Sequence, residues 1–278
     1  MICPNCNSKI EHGNTTCPLC GAELGSVSRS GTRGRSSQAY AAQTAGNAGL
    51  FVGAAARAAR ASAAYSEGEL VSDRTYNGVL LGVLLWGLLA NVLLCTFVHD
   101  LYSHISPTAF LIGYFLCAIV GITVSRKSRS HWVSFLGYNL VVVPVGLLLS
   151  AVVEAYGGVS ASIVSDAFLY TLLIAVGISG AALAFPKLFE KLGGMLAGIL
   201  FGLIICEVVL LILGRDQQMT CWIAAGLFSV YLGYDVYRSQ QFPKTLDNAV
   251  DSALDIYLDA VNLFIRILSI LARSRRRN

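Results

Sequence analysis

The chain has 278 residues, of which 55% are hydrophobic and only 13% charged, with a formal net charge of +4 and a mean hydropathy of +0.64. A soluble domain carries roughly 25% charged residues, so this chain has too few charges to cover a water-facing surface, and a bilayer is the surrounding that suits it. Most of the positive excess sits in one terminal cluster, Arg273, Arg275, Arg276 and Arg277, and gives no reason to expect a nucleic-acid partner.

Residues 1–24 form a polar head. Met1 to Cys6 has no apolar run behind it, so no cleavable signal is expected and the first hydrophobic helix is expected to act as its own insertion signal. The head carries Cys3-Pro-Asn-Cys6 and, after ten intervening residues, Cys17-Pro-Leu-Cys20-Gly21. Two closely spaced thiolate pairs supply the tetrahedral S₄ set that zinc prefers, and the pattern resembles a minimal zinc ribbon. Two dozen residues cannot bury a core, so the metal would supply most of the folding free energy. Disulfides are the competing use of these thiols, disfavoured in a reducing cytoplasm. With all four ligands from protein, the zinc is expected to be structural, and such a module holds a protein or nucleic acid more readily than it catalyses. The other four cysteines, Cys95, Cys117, Cys206 and Cys221, read as small buried hydrophobes.

Residues 25–75 read as a linker. It opens as a flexible Ser/Gly/Arg stretch, Gly25 to Gln38, and continues as an Ala-rich stretch, Tyr40 to Tyr65, with Arg57 and Arg60. The second part suits a helix lying on a membrane surface, or more plainly a marginal helix within a linker.

Apolar runs of membrane length follow. A span needs ~20 residues at about 1.5 Å rise per residue, which places spans at 76–98, 108–125, 131–153, 167–185, 194–213, 221–237 and 246–271. The runs are continuous rather than alternating, so helices are expected and a barrel is excluded. The expected fold is an all-α polytopic bundle of seven helices over 76–272, with the last helix central, a small N-terminal zinc ribbon and a basic tail at 273–278. Alternate loops carry Arg126, Lys127 and Arg129, then Lys187 and Lys191, then Arg238 and Lys244, while the intervening loops are short of Lys and Arg. This positive-inside alternation puts the N-terminus in the cytoplasm, as in a multi-pass bacterial plasma-membrane protein. Seven crossings would leave the Arg-rich tail outside, against the rule, so the seventh segment is expected to be membrane-inserted but shielded. Gly194, Gly198 and Gly202 form a GxxxG repeat that suits close helix packing, first of all within the bundle itself.

Ionisable residues at membrane depth cost roughly 2.5–3.5 kcal/mol each even on the lenient insertion scale. Here they are Glu207, Asp235, Asp255 and Asp259. Asp247, Asp251, Asp255 and Asp259 are spaced by four, and Asn262 and Arg266 continue the same face of the last helix. That stripe must face a bundle interior, a water-filled cavity or the bundle mouth. Near the loop, Asp247 and Asp251 read more plainly as a solvated helix start that suits the dipole. For Asp255 and Asp259 the plain alternative is an ion pair with Arg266 or another arginine.

Ala253-Leu-Asp-Ile-Tyr257-Leu-Asp259-Ala-Val-Asn262-Leu263-Phe264 resembles the last-helix signature of the Bax inhibitor-1 family, and Tyr234-Asp235 resembles its sixth-helix Tyr-Asp pair. The resemblance covers 76–272. It implies a pH-sensitive calcium leak gated by a di-aspartyl pair, Asp235 and Asp259, around a central seventh helix, and no enzymatic activity. Two carboxylates together in a low-dielectric site share a proton and titrate as a unit; the shared proton would latch two helices and its loss would drive them apart. By position, Arg126 corresponds to the family's arginine from the second helix. Asp255, Arg266 and Glu207 join the candidate ion-gating set. Three positions depart from the family pattern: Tyr237 replaces a glutamine, Asp255 often a serine, and Ser269 an arginine. The alternative function is a non-conducting membrane regulator that binds a protease or other protein partner through its bundle or zinc ribbon. An intramembrane aspartyl protease is disfavoured, because no Gly-x-Gly-Asp sequence is present and the four histidines, His12, His99, His104 and His131, are scattered.

Elemental analysis of the purified chain is expected to find one zinc per molecule; less than about 0.5 equivalents would overturn the ribbon.

Overall fold

The computed structural model describes residues 46–55, 69–98, 106–127 and 130–275. The cysteine head and most of the linker lie outside these residues. The described chain is helical. A short helix α1 spans 46–55, followed by α2 (Asp73–Phe97), α3 (Pro107–Lys127), α4 (His131–Ala155), α5 (Ser162–Ala184), the single turn α6 (Pro186–Glu190), α7 (Gly193–Ile212), α8 (Gln218–Gln241) and α9 (Leu246–Arg275). Among the described residues, six helices are long and apolar enough to cross a membrane: α2, α3 from Ala109, α4, α5, α7 and α8. The seventh long helix, α9, is longer than any of them but too charged to count as a span by length and composition. The expected seven spans thus become six apolar helices and one polar one.

Burial separates the two kinds of helix. In α2 only Tyr76, Gly87 and Asn91 are buried, whereas α9 is buried almost continuously from Asp247 to Ser269. The outward residues of the shell are large and apolar, among them Leu85, Leu89, Leu173, Val176, Phe201 and Ile212, as a hydrocarbon surrounding requires. α9 packs against α2, α4, α5 and α8; α3 joins the bundle through α4, and α7 through α8.

Local chemistry sets the joints. Ser72 caps α2, its Oγ accepting a bond from Thr75 N at 3.1 Å. The chain entering α2 is stapled to the α8–α9 turn: Val71 N donates to Lys244 O at 2.8 Å, and Leu70 bridges Thr245. Tyr76, fully buried, donates to Ser239 O at 2.8 Å, and the Lys244 ammonium lies 4.4 Å from its ring centroid. Partial burial there pushes the Lys244 ammonium down, with Asp73 opposing. The α3–α4 pair approaches closely at two glycines. A Cβ on Gly137 would lie 2.7 Å from both Gly121 O and Ser125 N, so only glycine lets these backbones meet.

α9 runs the length of the bundle. Its first turn is at the end that carries Lys187, Lys191, Arg238 and Lys244. At its far end Arg275 pairs with Asp166 at 2.6 Å and Arg273 pairs with Asp216. The basic tail therefore begins at the opposite end from the basic loops, with two of its arginines paired to acids of the α5 start and the α7–α8 turn.

Three local expectations change. Residues 46–55, expected within a membrane-surface or marginal linker helix, are helical, but the first five of them are buried rather than lying on a surface. Gly194, Gly198 and Gly202 face outward, with no atom within 4 Å of an added Cβ, so the repeat does not pack within the bundle. Of the four membrane cysteines only Cys221 is buried; Cys117 and Cys206 are exposed.

Gly137→Ala is expected to lower the thermal midpoint in detergent by the equivalent of about 1–3 kcal/mol, because an added methyl meets backbone that cannot yield. Gly82→Ala, where an added Cβ meets nothing within 4 Å, is the control and is expected to be neutral or slightly stabilising.

Candidate functional site: the charged column of α9

The acidic stripe of α9 is buried from its first turn. Asp247, Asp251, Asp255 and Asp259 are all 6% exposed or less, so Asp247 and Asp251 do not form a solvated helix start. A carboxylate taken out of water must be hydrogen-bonded or paired, and α3 and α4 supply the partners. Ser134 Oγ donates to Asp247 Oδ1, and Ser125 Oγ donates to Asp251 Oδ1. Arg126, in the last turn of α3, reaches both following acids: Nη1 to Asp251 Oδ2 at 3.2 Å and Nη2 to Asp255 Oδ1 at 2.6 Å. The arginine expected as a loop charge is 9% exposed and clamps α3 to α9. Asp255 thus takes the plain alternative of an arginine ion pair, with Arg126 rather than Arg266 as its partner.

Two turns beyond Asp259 lies a second ion pair. Arg266 and Glu207 meet in a bidentate geometry, Nη1 to Oε1 at 2.7 Å and Nη2 to Oε2 at 2.8 Å, and each residue is 1% exposed. Planar fork-to-fork pairing is the strongest form of this bond. Gln217 Nε2 donates to the Glu207 carbonyl at 2.9 Å, and Cys221 Sγ lies 3.8 Å from Arg266 Nη1. Pairing with Glu207 explains how an arginine and a glutamate are tolerated at membrane depth.

Asp259 lies between the two pairs, about 6 Å of helix from Asp255 and about 10 Å from Arg266 at 1.5 Å per residue. Its side is fully buried, and Asp235 on the adjoining α8 is 4% exposed. Along α9 the column has three levels, Asp255 with Arg126, then Asp259, then Arg266 with Glu207, and Asp235, the fifth residue singled out by sequence, is buried on the adjoining α8. Among the described residues no group of three His, Cys, Asp or Glu side chains converges as a metal site would; the acids are strung along α9. Around the column, Tyr257 Oη donates to Asn91 Oδ1 at 3.0 Å, and Tyr138 Oη to Val83 O at 3.0 Å, with the two rings 5.8 Å apart. Gly87 makes room for both, since a Cβ there would lie 2.1 Å from Tyr138 Oη.

Sequence reasoning missed Ser125, Ser134 and the buried role of Asp251. Both serines lie where helices end or begin beside a basic loop, and nothing local distinguishes them from caps or loop residues. Arg126 was placed only through the family resemblance.

Six apolar helices wrapped around one charged helix define a multi-pass integral membrane protein whose polar groups face its own interior. The chain belongs to the Bax inhibitor-1 family: the family described as "Inhibitor of apoptosis-promoting Bax1" matches residues 69–276. A protein of Schizosaccharomyces pombe named "Bax inhibitor 1" is 24% identical over 180 residues, covering 63% of this chain and 66% of that protein. Proteins of two Helicobacter pylori strains, both named "Uncharacterized protein", are 36% identical over 84 residues, covering 29% of this chain and 35% of theirs. The matched stretches thus span less than two thirds of these relatives.

Arg126→Met would strand two buried carboxylates and is expected to cost about 3–5 kcal/mol in detergent unfolding, whereas combining it with Asp251→Asn and Asp255→Leu is expected to recover most of that loss.

Proposed function

We propose that the chain is a pH-sensitive cation leak, for calcium, gated by Asp235 and Asp259. The observation that carries this reading is the burial of both carboxyls inside the bundle, on the two helices α8 and α9 that pack against each other, with Asp259 between two ion pairs along α9 that engage the buried arginines Arg126 and Arg266. α9 is then the seventh crossing, shielded from lipid by the other six. Two carboxyls on adjoining helices in a low-dielectric interior share a proton at low pH and repel once it is lost. The shared proton latches α8 to α9; its loss separates them and opens a carboxylate-lined path, which suits a hard cation. The Arg126 and Arg266 pairs keep the flanking acids compensated, so that protonation acts at the middle level of the column. The zinc ribbon formed by Cys3, Cys6, Cys17 and Cys20 is a separate cytoplasmic module in this proposal, with zinc as a structural cofactor and a protein partner as its ligand.

A second reading is a non-conducting regulator. It is favoured by Gly194, Gly198 and Gly202, which leave a flat outward face on α7 instead of packing inside.

Calcium flux into liposomes loaded with the purified chain is expected to rise with pH, and Asp259→Asn and Asp235→Asn are each expected to hold it low and flatten its pH dependence. Flux unchanged in the double variant would overturn the gate, and no flux at any pH would favour the regulator.

A further inference from the structure

The helix α1 is a segment that the family match, which starts at residue 69, does not include, yet it sits on the same column. Leu50, Val52 and Ala48 are buried in the main apolar core. Asn262 Nδ2, one turn beyond Asp259, donates to Gly49 O at 3.2 Å. The contact needs glycine: a Cβ on Gly49 would lie 2.0 Å from Asn262 Oδ1, and one on Gly46 would lie 3.0 Å from Arg266 Cζ. Gly46 over Arg266 and Gly49 over Asn262 make α1 antiparallel to α9. It covers the polar face of α9 from Asn262 to Arg266, in the half of the bundle away from the basic loops.

The seat is closed but not fully satisfied. Asn47 Oδ1, Asn262 Oδ1 and Arg266 Nε are buried and find no hydrogen-bond partner among the described residues, a situation that water would relieve. On its other side α1 leaves an apolar groove of about 350 Å³ against α3, lined by Phe51, Val52, Ala55, Phe115, Ala118 and Ile122. Apolar side chains hold α1 in place, while the polar groups it covers would be better served by solvent. Such a balance suits a segment that leaves and returns.

We propose that α1 is an intramolecular plug that occludes the far half of the α9 column and must withdraw before solvent or ions reach it. As regulation of a leak, this rests on the function proposed above; as occlusion, it does not. With α1 withdrawn, the groove lined by Asn262, Arg266 and Glu207 fills with water, and Cys221, in van der Waals reach of Arg266, comes within access of it.

The test uses the full chain in liposomes. One readout is labelling of native Cys221 by a charged, membrane-impermeant thiol reagent, followed by peptide mass; the other is calcium flux. Gly49→Leu is expected to raise the labelling rate about tenfold and the flux with it, by shifting the plug toward the withdrawn state. Gly82→Leu, at an outward position of α2 where an added Cβ meets nothing within 4 Å, is expected to change neither. Should Gly49→Leu fail to fold, the pair Gly49→Cys with Asn262→Cys serves instead: oxidised and cross-linked, it is expected to label Cys221 more slowly than the same protein reduced. Equal labelling of Gly49→Leu and wild type, or of the locked and reduced pair, overturns the plug. Labelling that responds as expected while no form passes calcium upholds the occlusion and overturns the leak.

Discussion

Four aspartates, a paired arginine and an asparagine on one stripe of α9 cannot meet hydrocarbon, because each charge exposed to lipid would cost several kcal/mol. The surrounding architecture answers that cost. α2, α4, α5 and α8 pack around α9, and their own outward faces are largely apolar. The same constraint explains why glycines and tyrosines concentrate where α2, α4 and α9 meet. Helices must approach closely to exclude lipid from the column, so Gly87 and Gly146 leave no side chain in the way. The polar tips of Tyr138 and Tyr257 are satisfied by a backbone carbonyl and by Asn91.

Enclosure alone would leave buried charge uncompensated, so the column is braced at two levels. Arg126 ties α3 to Asp251 and Asp255; Glu207 ties α7 to Arg266. Both shell helices that do not touch α9 broadly through packing are thus joined to it by a charge pair. Buried pairs of this kind contribute little net stability but are expensive to break, so they fix which neighbour sits where rather than how tightly the whole is held. Asp259 lies between the braces along α9, Asp235 is buried on the adjoining α8, and α1 lies over the column next to the second brace. In the proposed leak, protonation of these carboxyls and the position of α1 would be two separate ways of altering one path.

Much of the shell was legible in the sequence, because a span announces itself by length and apolarity regardless of its neighbours. The expected segments coincide with the helices α2–α5 and α7–α9 to within a few residues at most ends, though only six of these seven are apolar enough to be spans, and the fourfold spacing of the aspartates marked the one face of α9 that lipid could not cover. The partners of those acids were not legible. Ser125 and Arg126 read as the start of a basic loop, and Asp247 and Asp251 as the wet first turn of a helix; burial of all four follows only from how α3 and α4, packed on each other through Gly121 and Gly137, meet α9. The segment 46–55 misled in the opposite way. Ala and Gly carry too little apolar surface to signal insertion, but their smallness is what lets a helix fit against Asn262 and Arg266.

The sequence by itself determined a membrane solvent, the approximate limits of the long apolar helices, and the helix whose charges had to be hidden, since these depend on composition and on the 3.6-residue period alone. The tertiary structure decided which charges pair, how far α9 reaches and what covers its far half. Those outcomes depend on residues distant in sequence meeting across a close-packed interior: Arg126 with Asp251 and Asp255, Glu207 with Arg266, Arg275 with Asp166, and Gly49 with Asn262.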